Sequence, residues 1–183
     1  MPEDYLIRHC APTLAGLKTG SMFTCPMQSR KVLLDSIRKL NLKLAPKGLR
    51  VVPLRFSEKT ALIYLYRPKG LSRDLADEAA AKLLEQNGYR SATCENCIAQ
   101  LRRRLDSGED FPHEIGLFLG YPPEDVQGFI ENKACGCKCV GCWKVYGDEA
   151  SAKKRFAQYK KCTRVYCDRW ANGATIERLT VAG

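Results

Sequence analysis

Residues 50–67 read Arg50-Val51-Val52-Pro53-Leu54-Arg55-Phe56, then Ser57-Glu58-Lys59, then Thr60-Ala61-Leu62-Ile63-Tyr64-Leu65-Tyr66-Arg67. Two runs rich in β-branched, aromatic and aliphatic residues flank a short polar turn, which predicts a hairpin. In the second run Ala61, Ile63 and Leu65 alternate with Leu62, Tyr64 and Tyr66. Both faces are apolar, so this strand is expected at the centre of a sheet.

The flanking segments read as helices. Leu33, Ile37, Leu40 and Leu44 recur at helical spacing within 29–44, and Pro46 and Gly48 end that stretch. Ser72 is the expected cap of a helix over 73–87, closed by Asn87-Gly88. Thr93 precedes a third helix, 94–106. Two short helices are expected at 112–119 and 123–132, a short strand at 143–146, a long helix from about 148 to 170, and a final strand at 175–181. Helices interleaved with a few strands, without a strict β-α-β rhythm, predict an α+β or mixed α/β fold. The expected architecture is several helices on a small mixed sheet with a central hairpin, in a single domain spanning 1–183.

The composition bounds the function. At 183 residues and 45% hydrophobic content, the chain is long and apolar enough to bury a core. No apolar run approaches the roughly 20 residues of a membrane span. Met1-Pro2-Glu3-Asp4 lacks the basic-then-apolar order of a secretory leader. The expected compartment is therefore the cytoplasm, where cysteines are more often free, metal-bound or redox-active than permanently bridged. The net charge is +10, and residues 151–183 hold eight bases against two acids, which leaves +6 in that segment. A basic face of this kind suits an acidic electron-transfer protein or, less well, nucleic acid.

Chemistry concentrates in sulfur. Residues 132–142 form a loop that contains Cys135, Cys137, Cys139 and Cys142, punctuated by Gly136 and Gly141. Cys-x-Cys spacing suits zinc, Cu(I) or an iron–sulfur cluster, or dithiol redox chemistry. Cys94-x-x-Cys97 is the obvious second donor pair, and its place at a helix start favours the thiolate. A Cys–His thiol enzyme is the third reading, built on Cys10 or Cys162 with His9 or His113 and Glu114. On the long helix, Ala152, Phe156, Tyr159, Thr163, Tyr166 and Trp170 form a row expected to face the core, with the bases opposite. Residues 111–132 superficially resemble a helix-turn-helix. Glu124, Asp125 and Glu131 on its second helix would repel phosphates.

Four blocks resemble a known family. They are His9-Cys10-Ala11-Pro12-Thr13-Leu14-Ala15-Gly16, Phe111-Pro112-His113-Glu114-Ile115-Gly116-Leu117-Phe118-Leu119-Gly120-Tyr121-Pro122, Trp143-Lys144-Val145-Tyr146 and Lys161-Cys162-Thr163. Together they are similar to an uncharacterised bacterial family, domain-of-unknown-function family 3793, over nearly the whole chain. The resemblance implies no activity. It places a shared site at His9, Cys10, His113, Glu114 and Cys162, among blocks that also hold Trp143 and Tyr146, and makes the cysteine loop an elaboration.

Overall fold

The structure is a computed structural model that describes residues 3–90, 93–107 and 111–183. It is an α+β chain that divides into two compact units, Met1–Gly70 with Lys161–Gly183, and Leu71–Lys160.

The first unit is built on a three-stranded sheet. Its strands are β1 (Gly20–Pro26), β2 (Arg50–Phe56) and β3 (Thr60–Tyr66), in the order β1-β3-β2. The expected hairpin is β2–β3, closed by Ser57 N–H donating to the Thr60 carbonyl at 2.8 Å. As expected, β3 is central. Strands β1 and β2 are separated by β3, so every hydrogen-bonded pair is antiparallel and the sheet is not mixed. The register of β2 shifts between Pro53 and Arg55. That bulge lets Val51 and Phe56, an odd number of positions apart, reach the same core. Pro53, which has no N–H, is tolerated because β2 is an edge strand.

One face of β3, Ala61, Ile63 and Leu65, packs with helices α1 (Glu3–Leu14) and α2 (Arg30–Leu44). The core stripe of α2 is Leu33, Ile37, Leu40 and Leu44, as the spacing predicts. Helix α1 and strand β1 carry no counterpart in the sequence-based expectation. Pro12 lies inside α1. It reads as a breaker in sequence, yet Leu6, Ile7, Cys10 and Leu14 keep helical spacing and are fully buried. The end of α1 is held by the Arg67 guanidinium, which donates to the carbonyls of Thr13, Leu14 and Val181 at 2.8–2.9 Å.

The second unit is mostly helical. It contains most of α3 (Pro68–Leu75), then α4 (Glu78–Gln86), α5 (Cys94–Asp106), α6 (Ile115–Phe118), α7 (Pro123–Glu131) and a hairpin of β4 (Cys139–Val140) with β5 (Lys144–Val145). Helix α8 (Glu149–Ala171) starts in this unit and ends in the first. The helix expected over 73–87 is two helices. Ser72 lies inside α3, and the Asp77 carboxylate caps α4 by accepting from Ala79 N–H at 3.0 Å and Ala80 N–H at 3.2 Å. A carboxylate offered to free N–H groups at a helix start outcompetes continuation.

The final strand expected at 175–181 is a short helix, α9 (Ile176–Leu179). Leu179 and Val181 alternate in sequence, but Ile176 and Leu179 bury at helical spacing against the first core, with Thr175 as the cap. The aromatic row of α8 faces inward as expected. Phe156 and Tyr159 join a cluster with Trp143 and Val145, while Tyr166 and Trp170 pack on the first unit's core. Lys153, Lys154, Lys160, Lys161 and Arg164 lie exposed.

Candidate functional site

A cavity of about 280 Å³ opens in the second unit. Three segments build it: Phe111 to Tyr121 with α6, helix α7, and the β4–β5 hairpin. Phe111, His113, Tyr121, Phe129 and Trp143 supply most of the wall, with Ile115, Gly116, Val126, Val140 and Lys144.

Its floor is a packed aromatic group. Trp143 stacks on Tyr121 with ring centroids 4.7 Å apart and meets Phe156 edge-on at 4.5 Å. The Tyr121 hydroxyl donates to the Cys142 carbonyl at 3.1 Å. Burial, and then the neighbouring Cys142, push the Tyr121 phenol up to about 12. His113 and Phe129 stand at the rim, edge to face at 5.0 Å, with Phe111 beside them at 5.9 Å from His113. Phe111 and Val140 are more than half exposed, so the mouth is apolar.

One buried carboxylate fixes this frame. Asp125, 3% exposed, lies in the first turn of α7 but serves the hairpin. Its Oδ2 accepts from Trp143 Nε1 at 2.6 Å, and its Oδ1 accepts from the Tyr146 and Gly147 N–H groups at 2.7 Å each. Helix and hairpin then approach closely. A Cβ on Gly128 would fall 2.5 Å from the Tyr146 ring, and one on Gly141 would run into Phe156.

The loop between α7 and β4 is conformationally costly. Lys133 and Ala134 adopt left-handed φ values of 49° and 64°, followed by Gly136 at 68°. Lys144 Nζ donates to the Ala134 carbonyl at 2.8 Å, tying this turn to the hairpin.

The predicted thiols are spread over several surroundings, although Cys94 with Cys97 and Cys137 with Cys139 lie within electrostatic reach of each other. Cys135 and Cys137 lie within electrostatic reach of Tyr146, whose hydroxyl is buried without a hydrogen-bond partner. The Cys139 thiol hydrogen-bonds the Glu149 carboxylate and packs on the Trp143 cluster. Cys142 stands exposed at the hairpin turn. Among the described residues, no three His, Cys, Asp or Glu side chains are grouped to hold a metal ion, so neither the four loop cysteines nor their combination with Cys94 and Cys97 assembles such a centre. The reason is local: left-handed turns and strand pleating send successive side chains in different directions. No disulfide joins any of the ten cysteines, all of which lie among the described residues.

Cys94 and Cys97 do start α5 with Thr93 as the cap. Burial nevertheless raises both thiols, against the thiolate expected from the helix end. Cys10 is fully buried in the first unit and its thiol is raised far more by burial, although Lys18 and a hydrogen bond with Ser21 oppose it. Cys162 is half-buried and also raised by burial. His9 is exposed and stacks on Phe23 at 5.5 Å. Glu114 is buried, accepts from the Tyr89 hydroxyl at 3.0 Å, and lies 2.9 Å from Arg104 Nε. That last contact is an ion pair without hydrogen-bond alignment, since Arg104 Nε has no aligned acceptor. Glu114 thus fastens the segment before α6 to α5.

Two of the four resembling blocks, Phe111–Pro122 and Trp143–Tyr146, converge on the cavity. Sequence reading missed the cavity itself, Asp125 as its organiser, and Phe129 and Lys144 in its wall. The available clue was the density of aromatic residues between Phe111 and Tyr146. Comparison with curated proteins and with solved structures finds no match. The family model described as "Protein of unknown function (DUF3793)" matches residues 6–180, and the chain belongs to that family.

Proposed function

We propose that this protein binds a small flat aromatic molecule in the aromatic cavity of the second unit. The observation that supports this reading is the cavity of about 280 Å³ walled by five aromatic rings and opening through exposed Phe111 and Val140. Its volume sits near the lower edge of the roughly 300–1,000 Å³ of ligand pockets, which suits one fused bicyclic ring. The carboxylates nearby are engaged in structure: Asp125 with three donors, and Glu114 with Tyr89 and Arg104. The site therefore offers shape and π-faces for binding, and its nearby carboxylates serve structure. Calorimetric titration of the full chain with naphthylmethanol should give saturable one-site binding. Phe129→Ala should weaken it roughly tenfold by removing a rim ring. Absence of saturable binding, or binding indifferent to Phe129→Ala, overturns this reading.

A second reading, thiol–disulfide exchange on the hairpin loop, is supported by the exposure of Cys135 and Cys142 within a run of four cysteines. Two loop thiols would close a disulfide and pass two electrons and two protons to an oxidant. Mild oxidation followed by peptide mapping should then yield a disulfide within 135–142, with Cys10, Cys25, Cys94 and Cys97 unreactive until the protein unfolds. A loop that stays fully reduced counts against it.

A further inference from the structure

We infer that the ligand of the aromatic cavity is an anionic aromatic molecule, a flat ring bearing a carboxylate, with the acid placed against Lys144. This rests on the cavity reading above and deepens it. Five aromatic rings around a small space would also suit a quaternary ammonium, which such cages hold through their π-faces. The charges among the described residues of this site favour an anion over that occupant.

A cation needs an available acid or an uncontested ring face. Among the described residues, the one carboxylate in the wall is Asp125, which has both oxygens engaged by three donors, the Trp143 indole N–H among them. The one ammonium in the wall belongs to Lys144, 5.9 Å from the centre of the Phe129 ring. A bound cation would compete with it for that face and be repelled by it. An anion gains from it instead. The ammonium has three N–H donors. The structure commits one of them, to the Ala134 carbonyl. No ion pair among the described residues engages it, so it is half-buried and already oriented, with donors to offer.

This orientation is built into the backbone. The Ala134 carbonyl that Lys144 holds belongs to the pair of left-handed residues Lys133 and Ala134. The left-handed turn and the β5 strand thus hold one cation beside a wall that is otherwise almost wholly apolar. A short aryl acid matches that division: its ring lies among Phe111, His113, Phe129 and Trp143, and its carboxylate reaches Lys144 as a charge-assisted acceptor.

The test uses the full chain and three probes with one ring system: naphthoate, naphthylmethanol and naphthylmethylammonium, each titrated by calorimetry at low and high salt. Naphthoate should bind roughly tenfold or more tighter than naphthylmethylammonium, and the gap should narrow with salt. Lys144→Met should abolish the preference, weakening naphthoate at least tenfold more than naphthylmethanol, and Lys144→Arg should keep it. Equal affinities for the acid and the ammonium in the wild-type protein, or a preference that survives Lys144→Met, overturns the inference and leaves the cavity reading in place. If none of the three probes binds, both fall.

Discussion

The two units use the same residue types to opposite ends. In the first, α1, α2, α9 and one face of the sheet fill their interior with aliphatic side chains, and Cys10 and Cys25 are small apolar filler among them. In the second, aromatic rings from the segment Phe111–Tyr121, α7 and the hairpin face one another across a space, and a buried carboxylate holds them apart from closure. A close-packed interior leaves no room for a ligand. An interior framed by hydrogen bonds to Asp125 can keep one. Cysteine count marked neither region's chemistry: Cys10 and Cys25 are buried in the first unit, and in the second Cys94 and Cys97 are buried while Cys135 and Cys142 are exposed.

The largest expected effect breaks the frame. Asp125→Ala would leave Trp143 Nε1 and the Tyr146 and Gly147 N–H groups without their buried acceptor. The loss should be about 3–5 kcal/mol of unfolding free energy, read by urea titration, because three donors lose a charged partner together. Asp125→Asn keeps one acceptor oxygen and should fall in between, with Trp143 fluorescence reporting the loosened hairpin. If Asp125→Ala unfolds at the wild-type urea concentration, the contrast between a filled and a framed unit fails.

How much of this was legible in the sequence follows from which signals are local. The hairpin, the central strand and the α2 stripe were, because apolar alternation and helical spacing are set within a few residues. Helix α1 was hidden by one proline whose missing N–H the fold tolerates. The split between α3 and α4 was hidden because Asp77 reads as one more acid in a helix until its oxygen is seen on Ala79 and Ala80. Strand 175–181 was misassigned because the alternation of Leu179 and Val181 hid the three-residue spacing of Ile176 and Leu179, which the Thr175 cap turns into one helical turn. The cavity was not legible at all. Its wall comes from three separate segments, and an aromatic residue reads the same whether it fills a core or lines a hole. The cysteine loop showed thiol spacing, but spacing does not give side-chain direction, and direction decides whether sulfurs converge.

The smaller effect sharpens the comparison from the first unit's side. Burial lifts the Cys10 thiol far above its ordinary value of 9.0, so the native protein keeps that proton where the unfolded chain releases it. Above pH 9 the unfolded state then binds fewer protons than the native state, and stability must fall as pH rises. The contribution of Cys10 is intact below pH 9 and declines by up to about 1.4 kcal/mol for each further pH unit. Cys25, Cys94, Cys97 and Cys162 are raised for the same reason and add to the decline. Cys10→Ala should cost about 1 kcal/mol at neutral pH by removing a buried sulfur, and should flatten the alkaline limb of the stability profile between pH 9 and pH 10. Conversion of the exposed Cys142 to alanine should leave both the neutral stability and that limb unchanged. A Cys10→Ala profile parallel to the wild-type one would mean that the Cys10 thiol ionises as readily in the folded protein as in the unfolded chain, and that the first unit's sulfur is not sealed in its core.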